Sequence, residues 1–236
     1  MSDIGVRIDG VTALVTGANR GLGRAIASAL LDRGAATVYA GVRDAASVTD
    51  SRLMPVELDV TDPAAVAAAA LRCGDTALLV NNAGIARGGG FAASASSAAA
   101  RAEMETNYFG TLEMSRAFAP VLARNGGGAL VNVLSVLSWI TLPNVASYAA
   151  SKAAAWSLTN ALRLELAEQR TLVVGVHAAF IDTDMAAGIA QPKTSPEDVA
   201  AQILDAVEKG LPSVFADAIT RGTAATGVGR LGVPAS

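Results

Sequence analysis

The sequence predicts a doubly wound α/β fold, in which a parallel sheet of about seven strands carries helices on both faces. Two observations carry this prediction. The predicted strands are continuously apolar and do not alternate, as expected when both faces of a parallel sheet are buried. Strands and helices also alternate along the chain, which is typical of a sheet of the Rossmann type. No linker is long enough to divide the 236 residues, so we predict a single domain over 1–236.

Each element is predicted from its local pattern. Short runs rich in valine and leucine predict strands, and the stretches of helical spacing between them predict helices. Pro63 and Ser195 mark helix starts, because proline suits the first turn and serine suits the N-cap. The predicted strands are 12–16, 36–42, 53–58, 76–81, one within 126–135, 172–178 and 212–216. The predicted helices are 21–34, 62–74, one or two within 95–125, 148–169 and 195–210. The glycine content of 220–236 predicts a loosely ordered tail.

The composition limits the classes of function. A net charge of −3 argues against a nucleic-acid-binding protein. No apolar run is long enough to span a bilayer, and no signal-peptide pattern is visible, so we expect a cytoplasmic protein without a membrane partner. Cys73 is the only cysteine and His177 the only histidine. Cysteine-rich and multi-histidine metal sites are therefore excluded, and we expect no metal.

A glycine-rich turn joins the first predicted strand to the first predicted helix. Gly17, Gly21 and Gly23 give the spacing G-x-x-x-G-x-G. Glycines let the backbone approach a ligand closely, and the free N–H groups of a helix N-terminus bind a pyrophosphate. The pattern therefore predicts a dinucleotide site, with an ordinary strand–helix turn as the alternative.

The end of the second strand indicates which dinucleotide. NAD sites carry a carboxylate there for the ribose hydroxyls, whereas this chain has Val42 followed by Arg43. Arg20 lies inside the glycine turn, and two guanidinium groups suit a 2′-phosphate. We therefore predict NADP(H), the alternative being two solvated surface arginines. Asp59, after the third strand, is a candidate acceptor for the adenine amino group.

Tyr148 and Lys152 stand out in the alanine-rich stretch "ASYAASKAAA". Four residues apart, they share one face of a helix. Tyrosine is a poor acid, with an unperturbed pKa near 10, and a nearby ammonium lowers that pKa. The pair is therefore a candidate proton donor with its tuning charge. The alternative is an amphipathic helix start with a solvated lysine.

Several motifs, in a fixed order, resemble the classical short-chain dehydrogenase/reductase family over nearly the whole chain. They are "TGANRGLG" (16–23), "NNAG" (81–84), Asn107, Ser135 and "YAASK" (148–152). The resemblance implies hydride transfer between NAD(P) and a carbonyl or alcohol, with the catalytic tetrad Asn107, Ser135, Tyr148 and Lys152. Ser135 would hold the substrate oxygen, Tyr148 would donate the proton, and Asn107 would anchor a water that feeds Lys152.

The resemblance also implies the cofactor contacts, and Arg20 with Arg43 matches NADP-preferring members. The implied cofactor-binding residues are Gly17, Asn19, Arg20, Gly21, Leu22, Gly23, Arg43, Asp59, Val60, Asn82, Ala83, Gly84, Tyr148, Lys152, Ile181 and Thr183. One motif departs from the family. Ala178-Ala179 stands where members usually carry Pro-Gly, which makes a positive φ less favourable and leaves the local turn open.

The segment 136–144 is the predicted substrate wall, because its side chains are mostly apolar. We predict substrate contacts from Ser135, Leu137, Trp139 and Tyr148, with core packing as the alternative for some apolar members. Together with a short lid at about 184–195, this wall suits small or medium hydrophobic ketones and aldehydes.

The predicted activity is NADPH-dependent reduction of a ketone or aldehyde to an alcohol, or the reverse. A 3-oxoacyl thioester reductase is the alternative, since Arg101, Arg116 and Arg124 could dock an acidic acyl-carrier protein. A non-catalytic NADP-binding sensor would be expected to lose the tyrosine or lysine, and both are present. The resemblance implies a homodimer or homotetramer.

Overall fold

The computed structural model describes residues 5–92 and 96–227, and within them a parallel sheet of seven strands forms the centre of the molecule. Its strand order is β3-β2-β1-β4-β5-β6-β7, so the chain reverses its direction of winding between β1 and β4. The strands are β1 (Thr12–Thr16), β2 (Thr37–Val42), β3 (Met54–Glu57), β4 (Leu78–Asn81), β5 (Ala129–Val133), β6 (Leu172–His177) and β7 (Ser213–Phe215). The predicted fold class is confirmed.

Helices cover both faces of the sheet because its inner strands send apolar side chains to both. In β1, Val15 packs into one core with Ile26 and Ile203, whereas Leu14 packs into the other with Phe118. The helices are α1 (Gly21–Asp32), α2 (Pro63–Arg72), α3 (Ala98–Met104), α4 (Thr111–Arg124), α5 (Ala146–Glu165), α6 (Pro196–Lys209) and α7 (Ala218–Ala225). Helices α1 and α6 belong to the first core, and α2, α4 and α5 to the second.

Two helix starts follow the local chemistry that predicted them. Pro63 opens α2, and Asp62 accepts a hydrogen bond from the Ala64 amide. Ser195 caps α6 by accepting from the Asp198 amide at 3.0 Å. The predicted helical region 95–125 contains two helices, α3 and α4, joined by a π-helical segment at Glu105–Gly110. Its residue 95 lies outside the described residues.

The end of the chain differs from its prediction. Helix α7 spans Ala218–Ala225, whereas a loosely ordered tail was predicted from residue 220 onward. That prediction is therefore wrong for residues 220–225. Asp217 explains the difference, because its carboxylate accepts from the Thr220 amide and hydroxyl at 2.8 and 3.0 Å. Such an N-cap stabilises a helix start by about 1 kcal/mol. The predicted tail over 228–236 lies outside the described residues.

Across the described ranges, no helix has the length and apolar character needed to cross a membrane.

Candidate active site

The glycine-rich turn lies at the carboxyl end of β1, where the sheet reverses its winding and open α/β sheets bind ligands. Gly17 and Gly21 have φ values of +67° and +51°, which side chains rarely adopt. A Cβ at Gly23 would lie 2.2 Å from the Gly17 carbonyl oxygen. The turn therefore needs glycine at these positions, and it brings bare backbone to the N-terminus of α1. This shape fits the pyrophosphate of a dinucleotide.

The "NNAG" segment after β4 is fastened to this turn. Asn82 donates through Nδ2 to the Thr16 carbonyl at 2.9 Å, and Thr16 Oγ1 accepts from the amides of Asn82 and Ala83. A Cβ at Gly84 would lie 3.1 Å from Asn107 Oδ1 and 3.6 Å from Lys152 Nζ. The segment therefore connects the glycine turn to two members of the predicted tetrad.

The two arginines predicted to bind a 2′-phosphate have different neighbours. Arg20 makes an ion pair with Asp184 at 2.9 Å, and both side chains are largely exposed. Arg43 is exposed and lies within electrostatic range of Asp59. The Thr61 amide and hydroxyl hydrogen-bond Asp59 and lower the pKa of its carboxyl, and Arg43 adds to this effect.

The segment after β6 closes over the glycine turn. A Cβ at Gly21 would lie 3.1 Å from Thr183 Cγ2, so Thr183 adjoins the start of α1. The Ile181 carbonyl accepts from the Thr183 amide at 2.8 Å, and Ile181 bridges to Thr194. These contacts fold the predicted lid region into a closed loop, with a short 3₁₀ turn at Asp184–Ala186.

Asn107 lies in the π-helical segment and is buried. Its side-chain amide bonds both backbone groups of Ile85 at 2.9 Å, and its Nδ2 also donates to Ser151 Oγ at 2.9 Å. Asn107 thereby joins the chain after β4 to helix α5. The predicted role in holding a water remains a prediction.

Ser135, Tyr148 and Lys152 come together at the end of β5. The Ser135 side chain interacts with the Tyr148 hydroxyl and acts to lower its pKa, and Ser135 Oγ accepts from the Leu137 amide at 3.1 Å. Lys152 Nζ lies 5.8 Å from the centre of the Tyr148 ring and donates to the Val133 carbonyl at 2.8 Å. The hydroxyl of Tyr148 thus has a hydroxyl partner and an ammonium nearby, which is the arrangement expected of a general acid.

Burial dominates the electrostatics of this pair. Burial raises the pKa of Tyr148 to about 12, and the Glu103 carboxylate adds to the rise, while the Ser135 hydrogen bond opposes it. Burial also lowers the pKa of Lys152 to about 8. Desolvation therefore sets the direction of the tyrosine pKa in the protein itself, and the lowering of that pKa by the Lys152 ammonium stays a prediction.

The predicted substrate wall divides into packed and exposed side chains. Trp139 stacks on the buried His177 ring at 3.9 Å, and its edge meets Trp156 and Phe215. Core packing, the open alternative, thus accounts for much of the Trp139 ring. His177 Nδ1 lies 3.2 Å from the Ser135 carbonyl, and burial lowers the pKa of His177 to about 3. The neutral ring helps to position the chain at Ser135.

The Ala178-Ala179 turn is held by a residue that the sequence analysis missed. The Ala179 amide donates to Asp217 Oδ2 at 2.7 Å, and the Ala178 carbonyl accepts from the Val136 amide at 2.9 Å. Neither alanine has a positive φ. Asp217 therefore anchors this corner across 38 residues, a separation that no local motif reveals.

The fold and these groups define a dinucleotide-binding oxidoreductase, and the comparison with known proteins gives its family. Residues 11–194 match the family model described as short chain dehydrogenase, and the chain belongs to that family. The sequence is 32% identical over 200 residues to the 7alpha-hydroxysteroid dehydrogenase of Escherichia coli, covering 80% of this chain and 78% of that protein.

Two solved structures extend the comparison. A short chain dehydrogenase from Burkholderia cenocepacia in complex with NADP shares 46% identity and a TM-score of 0.90, covering 93% of each chain. The 3-ketoacyl-(acyl-carrier-protein) reductase of Brucella melitensis complexed with NADH shares 26% identity and a TM-score of 0.81. The second match covers 88% of this chain and 96% of that one.

Proposed function

We propose that this protein reduces a ketone or aldehyde to the alcohol, or catalyses the reverse reaction, with NADP(H) as cofactor. One observation carries the proposal: the Ser135 side chain interacts with Tyr148, and Lys152 Nζ, one helical turn away, lies 5.8 Å from the centre of the Tyr148 ring. These side chains adjoin the "NNAG" segment, because Gly84 lies next to Lys152 Nζ. The same segment is hydrogen-bonded to the glycine turn, where a dinucleotide would bind.

The protein's own side chains would transfer the proton and orient the substrate. When bound, the nicotinamide supplies or accepts the hydride. The Tyr148 hydroxyl would donate its proton to the carbonyl oxygen, and Ser135 would hold that oxygen by a second hydrogen bond. Lys152 would stabilise the phenolate left behind and bind the ribose hydroxyls, and Asn107 would hold the water that returns a proton.

The residues around the glycine turn fit a dinucleotide and favour the phosphorylated form. Gly17, Gly21 and Gly23 would admit the pyrophosphate, because side chains there would clash or strain the backbone. The remaining predicted cofactor residues, from Asn19 to Thr183, would contact the ribose, adenine and nicotinamide. Arg43 is exposed next to the buried Val42, where a carboxylate would repel a 2′-phosphate. The NADP complex of the Burkholderia relative supports the same choice.

The mouth of the site supports an apolar substrate. Ile140 and Leu142 of the predicted wall are 37% and 49% exposed, and Leu137 is half-buried next to Ser135. Exposed aliphatic side chains in a site entrance favour ligands with apolar surface. Leu137 and Trp139 stay proposed substrate contacts, the second through the part of its ring outside the aromatic cluster.

A 3-oxoacyl thioester reductase is the second candidate, and similarity to the Brucella reductase favours it. Two of its three proposed docking arginines already have partners within the chain, since Arg116 pairs with Glu113 at 2.9 Å and Arg101 donates to Ser97 Oγ at 3.2 Å. The exposed side chains of Phe109 and Leu164, on the π-helical segment and α5, support a homodimer or homotetramer.

The test is NADPH oxidation measured with ketones, aldehydes, quinones and 3-oxoacyl thioesters, for the wild type and Tyr148→Phe. Reduction of ketones or aldehydes that Tyr148→Phe abolishes would support the proposal. Turnover of thioesters alone would favour the second candidate. NADPH binding without turnover of any compound would indicate the sensor and contradict both.

A further inference from the structure

A buried carboxylate lies close to the proposed proton donor. Glu103 is in helix α3, which packs against α5, and none of its surface is exposed. It precedes Asn107 by four residues, so the two side chains lie on the same side of consecutive helical turns. Burying a carboxylate fully costs free energy unless hydrogen bonds or an opposite charge compensate it.

One oxygen of Glu103 holds the chain at the substrate entrance. Oε1 accepts from the amides of Arg87 and Gly88 at 2.7 and 3.2 Å. We call residues 85–90 the entrance loop. Asn107 binds its first residue, Ile85, and the Gly89 amide donates to the Asn144 carbonyl at 2.7 Å, just before α5. Glu103 and Asn107 thus hold the entrance loop in place by hydrogen bonds, next to the proposed active site around Tyr148.

The second oxygen is not needed for this contact. Oε2 is buried and has no hydrogen-bond partner among the described residues. A glutamine would offer the same acceptor to Arg87 and Gly88 without a negative charge. Holding the loop therefore does not explain why the side chain is an acid.

The charge reaches the reacting group. Glu103 is on α3, which packs against α5, the helix that contains Tyr148, and its carboxylate helps to raise the pKa of Tyr148. The other charged groups near this point are Lys152 on α5, whose Nζ lies 5.8 Å from the Tyr148 ring, and Arg87, which is exposed on the entrance loop. A substrate whose carbonyl binds Tyr148 therefore brings its nearby substituents within the range of a buried negative charge. Like charges at such a range repel strongly when water is excluded.

We propose that Glu103 is a specificity-determining residue: one oxygen fixes the entrance loop, and its charge selects neutral carbonyl substrates against those with a carboxylate near the carbonyl. This inference rests on the proposed function and narrows its substrate class. Loss of the charge alone should change the selectivity between acids and esters, whereas loss of the acceptor oxygen should also loosen the entrance loop.

The test compares Glu103→Gln, Glu103→Ala and Glu105→Gln with the wild type. Glu105 is an exposed acid two residues further along, so its variant controls for a general change of charge. The first measurement is kcat/KM for methyl levulinate and longer keto esters, each paired with the keto acid of the same chain. Glu103→Gln should raise the acid-to-ester ratio roughly three- to tenfold, and Glu105→Gln should leave it unchanged.

The second measurement is hydrogen–deuterium exchange of residues 85–90, which requires no turnover. Exchange should stay near the wild-type rate in Glu103→Gln and should rise at least about tenfold in Glu103→Ala. An unchanged ratio in an active Glu103→Gln, or unchanged exchange in Glu103→Ala, would overturn the inference. A wild type that turns over neither the esters nor any ketone or aldehyde, while its exchange responds as expected, would contradict the proposed activity and the selectivity, and leave Glu103 as a loop anchor.

Discussion

Arg20 and Asp184 connect the glycine-rich turn to the segment after β6 through an ion pair of 2.9 Å. The same guanidinium is proposed to bind the 2′-phosphate, so the carboxylate and the phosphate would compete for it. An exposed pair of this kind contributes at most about 1 kcal/mol. The competition is therefore weak enough for a phosphate to win.

Asp184→Asn should strengthen NADPH binding up to about fivefold, because Arg20 loses its internal partner. NADH has no 2′-phosphate, and its affinity should stay within about twofold of the wild-type value. Fluorescence titration of both cofactors measures the two constants. A gain for NADH equal to that for NADPH would show that Asp184 acts on the loop and not through Arg20.

Tyr148→Phe should lower kcat by at least about 10²-fold while NADPH affinity changes little, because a general acid contributes about 10² to 10⁴ in rate. Ser135 loses its side-chain partner, but the turn around it keeps its backbone bonds. Steady-state kinetics and cofactor titration measure both quantities. A variant that retains more than about a tenth of the wild-type kcat would exclude Tyr148 as the proton donor.

Lys152→Met should abolish most activity and yet stabilise the cofactor-free protein near neutral pH. The pKa of Lys152 falls from 10.5 to about 8 in the folded protein, so the unfolded chain binds the proton more tightly. Wild-type stability should therefore rise as the pH increases from about 8 to about 10.5. The variant lacks this rise and should gain up to about 3 kcal/mol over the wild type at pH 7, less the lost hydrogen bond to Val133.

Urea unfolding at several pH values between 7 and 10.5 measures this difference. The advantage of Lys152→Met should shrink as the pH approaches 10.5, since the wild-type lysine is then neutral in the folded protein and is losing its proton in the unfolded chain as well. A difference that does not depend on pH would indicate that Lys152 keeps an ordinary pKa and is solvated in the folded protein.

The double change Val42→Asp with Arg43→Ala should move cofactor preference toward NADH. A hydrogen bond to a charged group is worth about 1.5–3 kcal/mol, so the lost phosphate contact should cost about ten- to a hundredfold in NADPH affinity. The new carboxylate can accept from the ribose hydroxyls and repels the phosphate. The measurement is kcat/KM for both cofactors. A wild type that already prefers NADH, or a variant whose preference is unchanged, would contradict the NADP assignment.

The predictions from sequence succeeded where a local pattern was sufficient. Apolar runs and glycine spacing lie within a few residues of one another, so they predicted the parallel sheet and the turn after β1. The predicted tail was wrong because Asp217 and Thr220 form a helix cap that glycine content does not report. Trp139 is an apolar residue in the predicted wall, but its direction depends on the distant rings of His177 and Phe215.

By itself, the sequence determined the fold class and indicated the set of groups that we propose for the chemistry, because helix and strand periodicity and the spacing of motifs can be read along the chain. Only the tertiary structure decided how those groups behave. Packing buries Lys152 and half-buries Tyr148, and the resulting desolvation shifts the pKa of each so that its neutral form is favoured. It also brings Glu103 from α3 to the entrance loop and Asp217 to the Ala178-Ala179 turn. Desolvation and contacts across tens of residues are set by the assembled core, and no short stretch of sequence contains them.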